Sequence, residues 1–279
     1  MERHFKCRSL LRKGLKEIKP IVYTQKLRKI YKLGNEKIVA LSGIDLTIEK
    51  GEFCCIAGPS GSGKSTLLNQ LAGLEKPSRG DIFIGNHEIS VMDENQLSLF
   101  RQKYLAFIFQ SYNLLPQLTA WENVALPLMF KGIDKKRRMK SARKELLLMG
   151  LSDRINHKPS EMSGGQQQRV GIARAFVSEP KVIFADEPTG NLDSNTTHNV
   201  LFTILNRAKE SDITIIMVTH EYGLTACADH IVTMQDGHIV NDIKQSEDTK
   251  RQNRIDFFAD YIDSNSIIGL NKEYAFKND

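Results

Sequence analysis

The stretch Phe53-Cys54-Cys55-Ile56-Ala57-Gly58-Pro59-Ser60-Gly61-Ser62-Gly63-Lys64-Ser65-Thr66 decides the fold. Its first five residues are continuously apolar, as a strand buried on both faces requires, and Leu67, Leu68, Leu71 and Leu74 recur at helical spacing after it. Between strand and helix, Gly58 to Thr66 fits G-x-x-x-x-G-K-[ST]. In that pattern glycines let backbone N–H groups close around phosphates, Lys64 reaches the β- and γ-oxygens, and Ser65 stands where Mg²⁺ is ligated. Strand, glycine loop and helix in this order predict a nucleotide site rather than a structural glycine turn.

Two further buried strands are expected at Val182 to Ala185 and at Ile213 to Val218, continuous in the manner of a parallel sheet covered on both sides. Asp186 ends the first, where open α/β sheets present ligand-binding groups, and is expected to hold a metal directly or through water. Glu187 comes next, placed to accept a proton from an attacking water. Taken alone, adjacent acids after a strand are common loop chemistry. His220 closes the second strand and would reach the same site if the two strands are neighbours. Ser163-Gly164-Gly165-Gln166 reads as a turn opening a helix, a second anion site made of free N–H groups and the positive end of the helix dipole.

With 279 residues, 41% of them apolar and 26% charged, the chain has the composition of a soluble globular protein of one or two domains. No apolar run approaches the ~18 residues that span a bilayer, and the richest, Val124 to Phe130, is interrupted by Pro127. The basic N-terminus lacks the apolar core of a signal peptide, so a cytosolic chain is expected. Cys7, Cys54, Cys55 and Cys227 have neither C-x-x-C nor zinc-ligand spacing and are read as reduced thiols. The net charge of +6 is uneven, since residues 1–34 carry eleven Lys/Arg against Glu2 and Glu17.

Residues 1–24 read as a basic extension in which Leu11, Leu15 and Ile18 form a short amphipathic stripe ended by Pro20, suited either to a solvated tail or to membrane-surface contact. A nucleotide-binding domain is expected over 25–244. It begins with strands alternating as Ile44 to Ile48 do, and Ile82-Phe83-Ile84 precedes a Gly85-Asn86 turn. It contains a helical region over about 111–175, where Lys135 to Arg138 is read as a solvated face and Lys144 to Leu148 as an apolar stripe. Ile231 to Gln235, Asp236-Gly237 and His238 to Val240 read as a hairpin. Residues 245–279 form a C-terminal extension in which Ile255, Phe257, Phe258, Tyr261 and Ile262 suit one amphipathic helix. Docking on its own domain is the default expectation, with a regulatory or partner-binding tail as the alternative.

Taken together, the chain resembles the nucleotide-binding subunit of an ATP-binding cassette transporter from about Lys26 to Ile243. The resemblance implies a P-loop core with an antiparallel β subdomain and an inserted α-helical signature subdomain. It identifies 58–66 as the phosphate loop, Gln110 as the Q-loop, Ser163 to Gln166 as the signature, and Asp186-Glu187 as the second Walker segment. Asn191-Leu192-Asp193-Ser194 becomes the D-loop and His220 the switch histidine. Lys64, Gln110, Glu187 and His220 are then the catalytic set, Ser65, Gln110 and Asp186 the Mg²⁺ ligands, and Tyr31 the aromatic that stacks on adenine. Met162 stands where the family usually has leucine, a swap of similar size and polarity.

The same resemblance implies a head-to-tail homodimer in which each ATP lies between the phosphate loop of one copy and Ser163 to Gln166 of the other. The stretch from Gln110 to Pro116, with Leu118-Thr119 and Glu122 to Leu128, resembles the subgroup serving lipoprotein release, macrolide export and antimicrobial-peptide resistance. Its members drive a separate permease with few membrane helices, received here at Gln110 and the helical region, which would place this chain on the cytoplasmic face of the membrane. The rival within the subgroup is a division-associated ATPase that signals to cell-wall hydrolases without moving cargo. A nucleic-acid or ribosome ATPase is encouraged by the pI of 9.0, but such proteins usually carry two cassettes or a long coiled coil, and no nucleic-acid partner is expected.

Overall fold

The computed structural model describes residues 20–265. The candidate amphipathic stripe at Leu11, Leu15 and Ile18, together with Cys7, lies outside them. The first strand, β1 (Pro20–Leu33), pairs antiparallel with β2 (Glu36–Glu49), with Val22 opposite Ile48 and Thr24 opposite Leu46. Residues 20–24 therefore belong to the sheet and not to the N-terminal extension. The reason is local: Val22 and Thr24 alternate inward with Tyr23 outward, and both are fully buried. β1 also pairs with β4 (Arg79–Ile84), and β5 (His87–Glu88) completes a four-stranded antiparallel sheet in the order β2-β1-β4-β5.

The second sheet has six strands in the order β10-β9-β3-β8-β7-β6. These are β3 (Phe53–Ala57), β6 (Leu105–Phe109), β7 (Val182–Asp186), β8 (Thr214–Val218), β9 (His230–Gln235) and β10 (His238–Lys244). All neighbours pair in parallel except the hairpin β9-β10. Alternate residues serve two cores. Cys54, Ile56, Phe184 and Val218 face the core shared with the antiparallel sheet and the helix at 64–71, while Cys55, Ile183, Ala185 and Met217 face the helices on the other side. Burial on both faces explains why β3, β7 and β8 read as unbroken apolar runs. Cys54, Cys55 and Cys227 are free and buried, and burial pushes the thiols of Cys54 and Cys55 well above the ordinary cysteine value.

Helix α1 (Lys64–Leu71) comes after β3, and α2 (Glu94–Tyr104) precedes β6. The inserted helical region consists of α3 (Ala120–Phe130), α4 (Lys135–Leu148) and α5 (Gly164–Phe176). α6 (Ser194–Glu210) and α7 (Tyr222–Ala226) pack on the parallel sheet, and α8 (Glu247–Asn265) closes the described chain. Lys135 opens α4 behind an N-cap, Asp134, whose carboxylate accepts from Lys136 and Arg137 N–H and offsets cations crowded at the positive end of the dipole. The expected apolar stripe at 144–148 is only partly inward: Leu146 is buried, whereas Leu147 and Leu148 are exposed. The 3.6-residue period turns Ala142, Glu145, Leu146 and Met149 to the core instead.

Asn123, fully buried on α3, fastens this region to the segment just after Gln110. Its Nδ2 donates to the carbonyls of Leu115, Leu118 and Thr119, and its Oδ1 accepts from Leu115 N at 2.7 Å. An apolar side chain here takes from Leu115 N–H and the Leu118 carbonyl the partner that Asn123 supplies, whereas the Leu115 and Thr119 carbonyls keep a backbone donor. Asn123→Ala is expected to lower the unfolding free energy by about 2–4 kcal/mol, read from the denaturant midpoint at unchanged slope.

Candidate functional site

Four strand ends lie level at one edge of the parallel sheet. Ile56 is opposite Val218, Val218 opposite Asp186, and Asp186 opposite Phe109. The segments leaving these strands are therefore gathered in one place: the 58–66 loop after β3, Thr219-His220 after β8, Glu187 after β7 and Gln110 after β6. Backbone bonds continue past the strands, with Glu187 N donating to Val218 O at 3.0 Å and Thr219 N to Ile56 O at 3.4 Å.

The phosphate loop wraps so tightly that side chains have no room at two of its glycines. A Cβ on Gly58 (φ 145°) would lie 2.2 Å from the Met234 carbonyl oxygen, and one on Gly63 (φ 100°) 2.6 Å from that of Ala40. The helix α1 starts at Lys64 with Gly63 as a left-handed N-cap and no side-chain cap, so its first N–H groups and dipole face the loop. Lys64 Nζ donates back to the Pro59 carbonyl at 2.8 Å, which keeps a buried ammonium inside the loop. Ser62, 2% exposed, has a hydroxyl oxygen with no partner among the described residues. Ser60, Gly61, Gly63, Lys64, Ser65 and Thr66 line a cleft of about 490 Å³. Glu187 stands on its rim, and Ile38, Val39 and Ala40 of β2 form a wall. The glycine cradle, the buried ammonium and the uncapped helix start fit a polyphosphate.

Asp186 and Glu187 form the acidic side. Burial, then the neighbouring Glu187 charge, raises the Asp186 carboxyl above its ordinary value, with Lys64 opposing. The carboxylates of Asp186 and Glu187 and the Ser65 hydroxyl are hard oxygen donors of the kind that suits Mg²⁺, and Ser65 and Glu187 line the same cleft. Glu187 adopts a left-handed φ of 43°, a conformation that costs about 1–3 kcal/mol for a non-glycine residue, fixed by its bond to Val218 O and by Gly190 N donating to its carbonyl. His220 Nδ1 lies 3.2 Å from Glu187 Oε1, with the imidazole itself largely exposed.

The remaining expected residues lie outside the cleft wall. The Gln110 side chain covers Gly190, where a Cβ would meet its Nε2 at 2.5 Å, and the Gln110 carbonyl accepts from Asn191. Ser163 caps α5 in a reciprocal box with Gln166, and Gly164 and Gly165 admit the Tyr112 hydroxyl and the Thr196 methyl in the space a Cβ would need. None of Ser163, Gly164, Gly165 and Gln166 lines the cleft of their own protomer. Tyr31, expected to stack on adenine, donates its hydroxyl to Glu75 at 2.7 Å and carries Lys29 over its ring at 5.1 Å, so one face already holds a cation. Burial and then Glu75 raise the Tyr31 phenol.

Two residues of the site escape sequence reading. Arg174 of α5 donates to the carbonyls of Tyr112 (2.8 Å) and Asn113 (2.6 Å), consecutive residues with left-handed φ just after Gln110. Gln168, fully buried, donates to the Pro188 carbonyl and ties the same helix to the loop after Glu187. One helix thus starts at Ser163 and grips both neighbouring loops. A polar residue inside an amphipathic helix carries no signal of such a contact before the fold is known.

A profile described as ABC transporter matches residues 41–190. An ABC transporter ATP-binding protein of Methanocaldococcus jannaschii is 52% identical over 217 residues, covering 78% of this chain and 96% of its own. The lipoprotein-releasing system ATP-binding protein LolD of Nitrobacter hamburgensis is 40% identical over 230 residues, covering 82% and 99%. Among solved structures, the dimeric ATP-binding cassette MJ0796 in a post-hydrolysis state with ADP and Pi superposes with a TM-score of 0.75 at 40% identity, covering 80% of this chain and 98% of that one. With this site on this sheet and these relatives, the chain belongs to the ABC transporter family as an ATP-binding cassette, an ATPase.

Proposed function

We propose that two copies of this chain close head to tail around two Mg·ATP and so drive a separate membrane permease that exports or extracts a peptide, a lipoprotein or a hydrophobic drug. The observation that carries the dimer is the division of the site: Lys64, Ser65 and Glu187 line one cleft, with Asp186 close enough to feel the charges of Lys64 and Glu187, while Ser163 to Gln166 offer a second helix N-terminus outside that cleft. That the related cassette MJ0796 is dimeric supports the same arrangement. The relative LolD, from a lipoprotein-releasing system, supports the cargo class.

Within each composite site, Gly58 to Thr66 bind the phosphates, and Lys64 leaves the Pro59 carbonyl for a phosphate oxygen. Ser65, Asp186 and Gln110 would hold Mg²⁺, which supplies charge neutralisation between the β- and γ-phosphates when bound. Glu187 takes the proton of the attacking water, and His220 Nδ1 holds that carboxylate in orientation. Tyr31 gives its open face to adenine. The permease docks in a cleft of about 830 Å³ between the two parts of the cassette, lined by Leu99, Phe107, Leu126, Pro127 and Phe130 and reached directly from the Gln110 segment through Asn113. Among the described residues no helix is long and apolar enough to cross a membrane, and this docking supports a place on the cytoplasmic face. The basic N-terminus ahead of Pro20, with its excess of cations, is proposed to touch the membrane surface.

Glu187→Gln is expected to retain ATP binding, to lower turnover by roughly 10²-fold or more, and to accumulate dimer on Mg·ATP in size-exclusion chromatography; normal turnover removes Glu187 from the base role. Lys64→Ala should weaken nucleotide binding itself, visible in a filter or fluorescence titration. Ser163→Arg should keep monomer nucleotide binding and lose turnover, since the bulky cation obstructs the wall offered to the other copy.

A further inference from the structure

Helix α7, which begins directly after His220 and Glu221, is five residues long. A helix of that length does not hold itself, and the carbonyls at its C-terminal end need partners from elsewhere. They find them in the C-terminal segment. Gln245 Nε2 donates to the carbonyls of Ala226 (2.8 Å) and Ala228 (2.6 Å), Asn253 Nδ2 to that of Ala226 (2.9 Å), and Arg254 Nε to that of Cys227 (2.9 Å). Leu224 anchors the other face in the core.

Phe257 closes the arrangement. Its ring lies directly on Gly223 of α7, where a Cβ would come within 2.6 Å of Cδ2. The same ring meets His198 of α6 at 4.9 Å, edge to face, and the fully buried Phe258 meets Phe202 of α6 at 5.6 Å. α6 begins after its N-cap Asp193, the end of the 191–193 segment that touches Gln110. α8 is therefore wedged between the two helices whose near ends run into His220 and into the loop beside Gln110. His220, by contrast, has a largely exposed side chain, and the next aromatic, Tyr222, is 92% exposed.

We propose that Phe257, with Asn253 and Arg254, acts as a positioning brace: α8 clamps α7 onto α6 and thereby holds His220 against Glu187. The C-terminal extension is then part of what sets the hydrolysis rate, without touching nucleotide. The effect on rate rests on the role proposed for His220; the clamp itself does not.

Two readouts separate these. In the full-length chain, Phe257→Ala should raise amide hydrogen exchange across residues 219–228 by about tenfold while β8 stays protected; unchanged exchange overturns the brace. Turnover should fall by about fivefold with KM for Mg·ATP within about twofold, and the loss should vanish in a His220→Ala background. An equal loss in that background, or a change confined to KM, overturns action through His220. If His220→Ala turns over normally, the histidine's role fails while the exchange result still judges the clamp. Phe257→Leu should recover most of the rate, and Gly223→Ala, which pushes the same contact from the other side, should reproduce the loss. Should Phe257→Ala fail to fold, Gly223→Ala carries both measurements.

Discussion

Parallel pairing of β7, β8 and β3 in one register is the constraint on which the rest depends. With Asp186, Val218 and Ile56 level, the phosphate loop, the acid pair and His220 are delivered to one edge by backbone hydrogen bonds in the interior. A slip of one residue in any of these strands would turn its side chains to the opposite core and carry the loop after it away from the others. The site's precision is thus inherited from a sheet buried on both faces, where Cys54, Phe184 and Val218 fill one core and Cys55, Ala185 and Met217 the other.

The loops at that edge are held in states they would not choose alone. Glu187, Tyr112 and Asn113 all have left-handed φ without being glycine. Each is fixed by a bond to a rigid neighbour: Glu187 to β8, and the other two carbonyls to Arg174 of α5. Because α5 also opens with Ser163 and reaches Pro188 through Gln168, a shift of the helical region is felt at both loops. That is the physical route by which motion at a docked permease and chemistry at Glu187 would be linked. α8 adds a second tie from the opposite side, through α7 and α6.

Much of this is legible in the sequence because several signals are local. Gly58 to Thr66 must be glycine-rich at positions where a Cβ collides with backbone, and Ser163 with Gln166 spells its capping box. Unbroken apolar runs mark β3, β7 and β8, and Asp236-Gly237 marks the β9–β10 turn. Other features depend on contacts distant in sequence. The inward face of α4 is misleading around Leu147 and Leu148, since a charged helix start hides its phase. The first strand starts earlier than its sequence suggests, because Pro20 marks a strand's start as readily as a helix's end. Helix α2 gives little periodic signal, although Asp93 and Gln96 form a capping box at its start. Arg174, Gln168 and Phe257 act on segments far from them in sequence, and nothing nearby announces their targets.

In the proposed head-to-tail arrangement, a protomer that owns the phosphate loop, the acids and the histidine is completed by the wall of a second copy's Ser163 to Gln166 turn. The most direct measurement is specific ATPase activity of the wild-type chain against its own concentration, with the oligomeric state tracked in parallel. The account predicts activity per chain that rises with concentration and levels off as dimer saturates. Constant activity per chain from a protein that stays monomeric throughout turnover would contradict it.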